Sequence, residues 1–287
     1  MQYKTLNNGV EMPMLGYGVY QIEDLEECER CVLDAIDVGY RLIDTAQSYF
    51  NEKAVGNAVQ KSSVPREELF ITTKVWIDNY GYEKTKASVL ESMEKLKTDY
   101  LDLVLLHQPF NDYYASYHAL EDMYKEGKLR AIGVSNFYPD RLSDICAFNE
   151  ITPQVNQVET NPFNQQIEAQ ENMIKNDVQI EAWAPFGEGR NNMFTNSTLE
   201  EIGEKYEKTA AQVILRWLVQ RGVVTLAKTT HKERMQENFD IFDFELSSKD
   251  MDTIKTLDTG ESLFFSHQDP DTVDFFVDLI NKRRNKG

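Results

Sequence analysis

Four titratable side chains close or follow three separate apolar runs. Asp44 ends YRLID, Tyr49 comes five residues later, Lys74 ends FITTK, and His107 ends LDLVLLH. A tyrosine is a poor acid at neutral pH, its ordinary pKa being about 10, but an adjacent ammonium favours the phenolate and so lowers that value. Lys74 is the candidate for this charge. Asp44 is the candidate carboxylate that keeps Lys74 ionised and oriented, and His107 offers a ring N–H to position a carbonyl oxygen beside the Tyr49 hydroxyl. Converged, the four would polarise and protonate a carbonyl whose carbon is attacked by another species. Each has a plainer reading: Asp44 as a helix cap, Lys74 as a snorkelling stem, His107 as a satisfied core group. Four such groups on the ends of separate strands argue for one site.

The elements that must position them follow a repeating pattern. Eight apolar runs read as strands: LGYGVY, the run at 41–44, FITTK, LDLVLLH, AIGVS, QVNQVE, QIEAW and VVTLA. Amphipathic stretches between them read as helices, near 24–38, 52–60, 82–96, 115–126, 139–148, 166–176, 199–206 and 210–220. Strands apolar on both faces, alternating with helices and joined by no Pro/Ser-rich linker, predict a parallel sheet and one domain over 1–287. Eight units at this length fit an α/β fold of the (β/α)8 barrel type, with a doubly wound open sheet as the alternative. Ahead of the first unit, Asn7-Asn8-Gly9 lies between two short runs and predicts a β-hairpin that plugs one end of the barrel. Catalytic groups on this fold come from carboxyl ends of different strands. Those ends here are Gly18, Asp44, Lys74, His107, Ser135-Asn136, Gln157, Trp183 and Lys228, almost all polar or aromatic. The glycines of LGYGVY would also let a ligand approach the backbone near Gly18 and Val19.

With these residues in place, the sequence resembles the aldo-keto reductase family from about Lys4 to the end, and in texture its short bacterial members. The family signature, a Gly-aromatic-Arg before a strand-end Asp, then Ala, Tyr, Glu and Gly, is filled by Gly39, Tyr40, Arg41, Asp44, Ala46, Tyr49, Glu52 and Gly56. LAKTTHKERMQEN is similar to the family's nicotinamide-cofactor element, supplying Lys228, Thr229, Arg234, Glu237 and Asn238. Ala227 and Thr229 stand where Pro and Ser are usual. The resemblance implies NADPH/NADP+ as cofactor, with Ser135, Asn136 and Gln157 on the nicotinamide carboxamide. It also implies Trp183 stacked on the ring and Ala184-Pro185-Phe186-Gly187 over the pyrophosphate. These residue types suit the tasks, since amides carry donors and acceptors and an indole holds a flat ring face to face. A Lys/Arg pair near a short helix suits an adenosine 2′-phosphate. The implied activity is reduction of aldehydes or ketones, with Tyr49 as proton donor. An NADPH-binding regulatory or sensor subunit on the same fold is the alternative.

The substrate end would be lined by Tyr20, Trp76, His107, Phe110 and Phe265, with Gln108 where many relatives carry tryptophan. This suits small or medium carbonyl compounds. In relatives the region of SLFFSHQDPDTVDFF folds over the entrance. The basic residues Lys282, Arg283, Arg284 and Lys286 read as solvated charges complementing a final helix dipole.

Composition excludes several classes. A net charge of -18 repels nucleic acid and anionic membranes, and no apolar run approaches the ~20 residues that span a bilayer. The N-terminus shows no basic flank or apolar run of a secretory signal, so a cytoplasmic protein is expected, a monomer or a dimer. Three cysteines are too few for a disulfide framework. Cys28 and Cys31 form a C-x-x-C in a helical stretch, read as packing, with redox or metal use as the alternative. The four histidines, at 107, 118, 231 and 267, show no metal-ligand spacing, so no metal is expected.

Overall fold

The computed structural model describes residues 1–284. The chain opens with an antiparallel hairpin, β1 (Tyr3–Thr5) and β2 (Glu11–Pro13), turning at Gly9 with φ +85°. Eight parallel strands follow: β3 (Leu15–Gly18), β4 (Leu42–Asp44), β5 (Phe70–Val75), β6 (Leu103–Leu106), β7 (Ile132–Ser135), β8 (Val155–Glu159), β9 (Gln179–Trp183) and β10 (Val224–Ala227). They close in sequence order, β10 pairing with β3, so the sheet is a barrel and not the open alternative.

Helices α1 (Leu25–Val38), α2 (Glu52–Lys61), α3 (Tyr82–Leu96), α4 (Tyr113–Lys125), α5 (Pro139–Phe148) and α6 (Ile167–Lys175) connect the first seven strands. Two more, α7 (Ser197–Tyr206) and α8 (Ala210–Gln220), precede β10. The barrel strands are almost wholly buried because side chains on one face fill the interior while those on the other meet this helical ring. Local signals mark the boundaries. Asp24 accepts from the Glu27 amide at 2.8 Å to start α1, and Thr209 with Gln212 forms a reciprocal capping box on α8. At the end of α1, Gly39 takes φ +125° and donates to the Ala35 and Ile36 carbonyls. A side chain there would be strained, and its Cβ would lie 2.8 Å from the Phe239 ring.

Three further helices complete the described chain: α9 (Lys232–Phe239), α10 (Ser248–Lys255), which the sequence pattern did not mark, and α11 (Pro270–Arg284). The hairpin sits below the amino ends of the strands, where Asn7 donates to the Pro153 and Asp177 carbonyls and Asn8 to Arg130. The opposite, carboxyl end is left for the cavity. Among the described residues no helix is long and apolar enough to cross a membrane.

Candidate active site

At that end a cavity of about 680 Å³ opens, and Asp44, Tyr49 and His107 lie on its wall. Lys74 sits beneath them on β5, with no solvent exposure. Its ammonium has three donors and three acceptors in reach: Asp44 Oδ1 at 2.5 Å, the Thr45 carbonyl at 3.0 Å and Tyr49 Oη at 3.4 Å. Tyr49 arrives on a 3-10 turn, Gln47–Tyr49, ended by Phe50 in the left-handed region. That turn is held by Gln47. Its side-chain oxygen accepts from the Trp76 amide and the Asn79 side chain at 3.0 and 2.8 Å, and its nitrogen donates to Ser88 and Ser92.

The residues around Asp44, within the signature and beside it, are mostly scaffold. Asn51 accepts from Thr45 and donates to the Val19 and Ile22 carbonyls, tying the loop after β3 to the loop after β4. Glu52 accepts from Thr73 at 2.6 Å, and the Tyr40 hydroxyl donates to Met235 on α9. Gly16 is small for packing, since a Cβ would lie within 2.7 Å of Leu42 and Leu226, so only Gly18 keeps the reading of close approach by a ligand.

Electrostatics at the centre depart from the expectation in one respect. Burial raises the Tyr49 phenol to about 12, against the opposing pull of the Lys74 ammonium, so desolvation outweighs the cation and Tyr49 holds its proton at neutral pH. Burial disfavours charge on Lys74, but Asp44, Tyr49 and Glu181 together raise it above its ordinary value. Burial also pushes Asp44 upward, while Lys74 and Gln157 pull it back. His107 is driven well below its ordinary value by burial, then by Lys74, His267 and Arg283, and is neutral. Its Nδ1 lies 3.4 Å from Ser48 Oγ. The tautomer in which Nδ1 accepts from Ser48 leaves Nε2–H free to donate into the cavity.

A fifth group was not foreseen. Glu181, fully buried on β9, shares the Gln157 amide with Asp44, at 2.9 and 3.1 Å respectively. Burial and then the Asp44 charge raise its carboxyl to about 8, and its Oε1 has no partner. The only trace in the sequence is an acid between Ile180 and Ala182 in a buried strand.

Of the other expected residues, Gly18, Ser135, Asn136, Gln157, Trp183, Ala184, Phe186, Lys228, Thr229 and Arg234 line the same cavity, as do Tyr20, Trp76 and Phe265. Ser135 donates to the Gln157 carbonyl, and half-buried Trp183 donates to Asn136 Oδ1 at 2.8 Å. Five expected residues do not reach the wall, buried Gly187 among them. Val19 is turned into the core, its amide donating to the Asp44 carbonyl at 3.1 Å. Phe110 lies behind the wall, packed on His267 and Phe276. Glu237 faces away and accepts from Thr209, while Asn238 is buried on the inner side of α9.

The residues after β10 form a cationic end. The Tyr17 hydroxyl donates to the Thr229 carbonyl at 2.7 Å and fixes the strand exit. Lys232 pairs with Asp34 and Asp37, but Lys228 and Arg234 enter no ion pair among the described residues. His231 precedes α9 without capping it, so the first-turn amides of that helix are open.

The tail folds across the other end. Glu159 accepts from Ser262 Oγ at 2.5 Å and from the Leu263 amide at 3.0 Å, and His267 meets Gln108 Oε1 at 2.8 Å. Phe275, Phe276, Leu279 and Arg283 then bring α11 to the cavity. The C-terminal charges are therefore not all solvated. Arg284 pairs with Asp78 and Arg283 stacks on Trp76 and Phe50, while Lys282 is exposed and Lys286 lies outside the described residues. His118 is exposed on α4. Cys28 and Cys31 are buried free thiols that burial raises, Cys28 to about 12, which makes both poor nucleophiles.

Comparison with known proteins agrees with this fold. The chain is 49% identical over 257 residues to glyoxal reductase of Bacillus subtilis (strain 168), covering 89% of this chain and 92% of that protein. Among solved structures it resembles MGS-M4, an aldo-keto reductase enzyme from a Medee basin deep-sea metagenome library (TM-score 0.90, 39% identity, 93% and 98% of the two chains). It also resembles a Bombyx mori aldo-keto reductase in complex with NADP (TM-score 0.86, 30% identity, 92% and 95% of the two chains). The model of the Aldo/keto reductase family matches residues 14–259, and the chain belongs to that family.

Proposed function

We propose that this protein reduces aldehydes or ketones to alcohols with NADPH, Tyr49 giving the proton. The observation that carries this reading is the ion pair buried directly under a cavity-facing phenol: Lys74 touches Asp44, Thr45 and Tyr49 at once, beside a neutral His107. The cofactor, when bound, supplies a hydride to the carbonyl carbon. Everything else falls to side chains of this chain.

The residues present fit such a cofactor. Gln157 spends both amide hydrogens on Asp44 and Glu181, so its oxygen is the acceptor it can offer a carboxamide at the cavity wall. Lys228, Arg234 and the open amides of α9 suit a phosphate, and on a protein of charge -18 two unpaired cations on one wall are a poor accident of composition. Trp183 lines the same cavity and would hold the nicotinamide ring.

At the reacting end His107 Nε2–H and the Tyr49 hydroxyl would both donate to the carbonyl oxygen, drawing electron density from the carbon. As charge grows on that oxygen, Tyr49 releases its proton to it. The phenolate left behind lies 3.4 Å from the Lys74 ammonium, which stabilises it most when the proton has moved. The phenol's high ground-state pKa is consistent with this, because the donor keeps its proton until the transition state needs it. Asp44 holds the ammonium in place, and the tail aromatics exclude water.

The kinship with a glyoxal reductase makes small dicarbonyls a first substrate set to try. Protein, NADPH and a panel of aldehydes are mixed and reduced-nicotinamide absorbance is followed. No turnover with any aldehyde, alongside tight NADPH binding, would favour a sensor role over catalysis.

A further inference from the structure

The substrate end of the cavity has an unusual charge inventory. His107 and His267 are neutral, burial driving His267 down to about 3, and Lys74 is offset by Asp44. The aromatic wall of Tyr20, Trp76, Phe265 and Phe276 carries no charge. The cation beside that wall is Arg283, from the last turns of α11, while Glu188, also on the cavity, accepts from Gln21. Its guanidinium carbon lies 4.8 Å from the Trp76 ring centre and 5.1 Å from that of Phe50. It enters no ion pair or hydrogen bond among the described residues, although Arg284 beside it is locked on Asp78. One arginine thus anchors the helix, and its neighbour is left with a stacked face and unused N–H edges on the cavity wall.

Resting on the reductase reading above, we propose that the preferred substrate is a carbonyl compound bearing a carboxylate, which Arg283 receives over the Trp76 indole while the carbonyl reaches Tyr49 and His107. Trp76 spans the two positions, its ring centre 5.4 Å from that of His107 on one side and 4.8 Å from the guanidinium on the other. A short aliphatic or single-ring spacer between carbonyl and carboxylate fits that gap. A guanidinium stacked on an indole keeps its edge donors free and coplanar, the geometry that binds a carboxylate through two parallel hydrogen bonds. The acidic surface makes the preference a local one, since an anion gains nothing from the protein's overall field. The family match ends at residue 259, so the element bearing Arg283 lies beyond the shared domain.

The test compares 4-carboxybenzaldehyde with 4-carbamoylbenzaldehyde, a pair alike in shape and different in charge, in the NADPH-supplied enzyme. Wild type should favour the carboxylate in kcat/KM by about 10- to 100-fold, chiefly through KM, the range expected for a charge-assisted pair. Arg283→Met should abolish that preference while leaving the amide within about twofold, and Arg283→Lys should restore part of it. Parallel loss on both aldehydes would show Arg283 to be a strap for α11, and equal rates in wild type would remove the carboxylate from the substrate; either result overturns the proposal. A second measurement does not need turnover: 4-(hydroxymethyl)benzoate should quench tryptophan fluorescence in wild type and not in Arg283→Met. An unchanged quench in the variant also overturns it. Failure of both aldehydes to react, with the quench as expected, would count against the reductase reading and not against the anion site.

Discussion

Replacing Lys74 by methionine removes a charge from a place where water cannot substitute for it. Lys74 is fully buried and Asp44 is 3% exposed, so the variant leaves a carboxylate held only by the Gln157 amide, with Glu181 on the same amide. Such a carboxyl must take up a proton to remain inside. Against an unfolded carboxylate titrating at about 3.9, keeping it protonated at pH 7 costs about 4 kcal/mol, at about 1.36 kcal/mol per unit. That agrees with the range of about 3–5 kcal/mol for breaking a buried pair by removing one partner. The sign of the pH dependence follows. A carboxyl whose folded pKa is raised has its full stability below the unfolded pKa and loses it as pH rises towards the folded one. The deficit of Lys74→Met should therefore shrink to about 1.5 kcal/mol at pH 5. Urea unfolding of wild type and variant at both pH values measures it. The double variant Asp44→Asn/Lys74→Met should regain most of the stability, because both charges have gone, yet remain inactive, because the phenolate has lost its cation. A Lys74→Met protein as stable as wild type at pH 7, or a double variant no more stable than the single one, would refute the ion-pair account.

Three other outcomes are expected. Tyr49→Phe should slow reduction by about 10²–10⁴-fold with NADPH affinity nearly unchanged, and near-normal turnover would move the proton donor to His107. Arg234→Ala should weaken NADPH by about 2–4 kcal/mol and NADH far less, measured by fluorescence titration; equal weakening would place the 2′-phosphate elsewhere. Glu181, raised to about 8, takes up a proton on folding, so wild type should lose stability relative to Glu181→Gln as pH rises from about 5 to about 8, by a few kcal/mol in all. Parallel stability-pH curves for the two proteins would mean that Glu181 is ionised in the fold.

Most of the architecture could be read from the chain because its signals are local and periodic. Runs such as LDLVLLH are apolar on both faces, as only a strand sandwiched between barrel interior and helices needs to be, and Asp24, Gly39 and Thr209 mark helix ends through contacts within a few residues. That Asp44, Tyr49, Lys74 and His107 converge was legible as well, through a signature whose Glu52 and Tyr40, with neighbouring Asn51, hold the loops in register. Tertiary structure alone decided matters that depend on what surrounds a side chain in space. Closure of β10 on β3 brings groups far apart in the chain to one ring, so that Gln157 bridges Asp44 and Glu181. Whether Tyr49 is a stronger or weaker acid than free tyrosine depends on desolvation against one cation at 3.4 Å, a balance that no spacing encodes. Side-chain direction is likewise invisible in sequence. Val19 and Phe110 have the residue types and positions of wall residues, but the pleat and the loop turn them inward. Arg283 and Arg284 are adjacent and alike in sequence, and only the docking of α11 sends one to Asp78 and the other into the cavity.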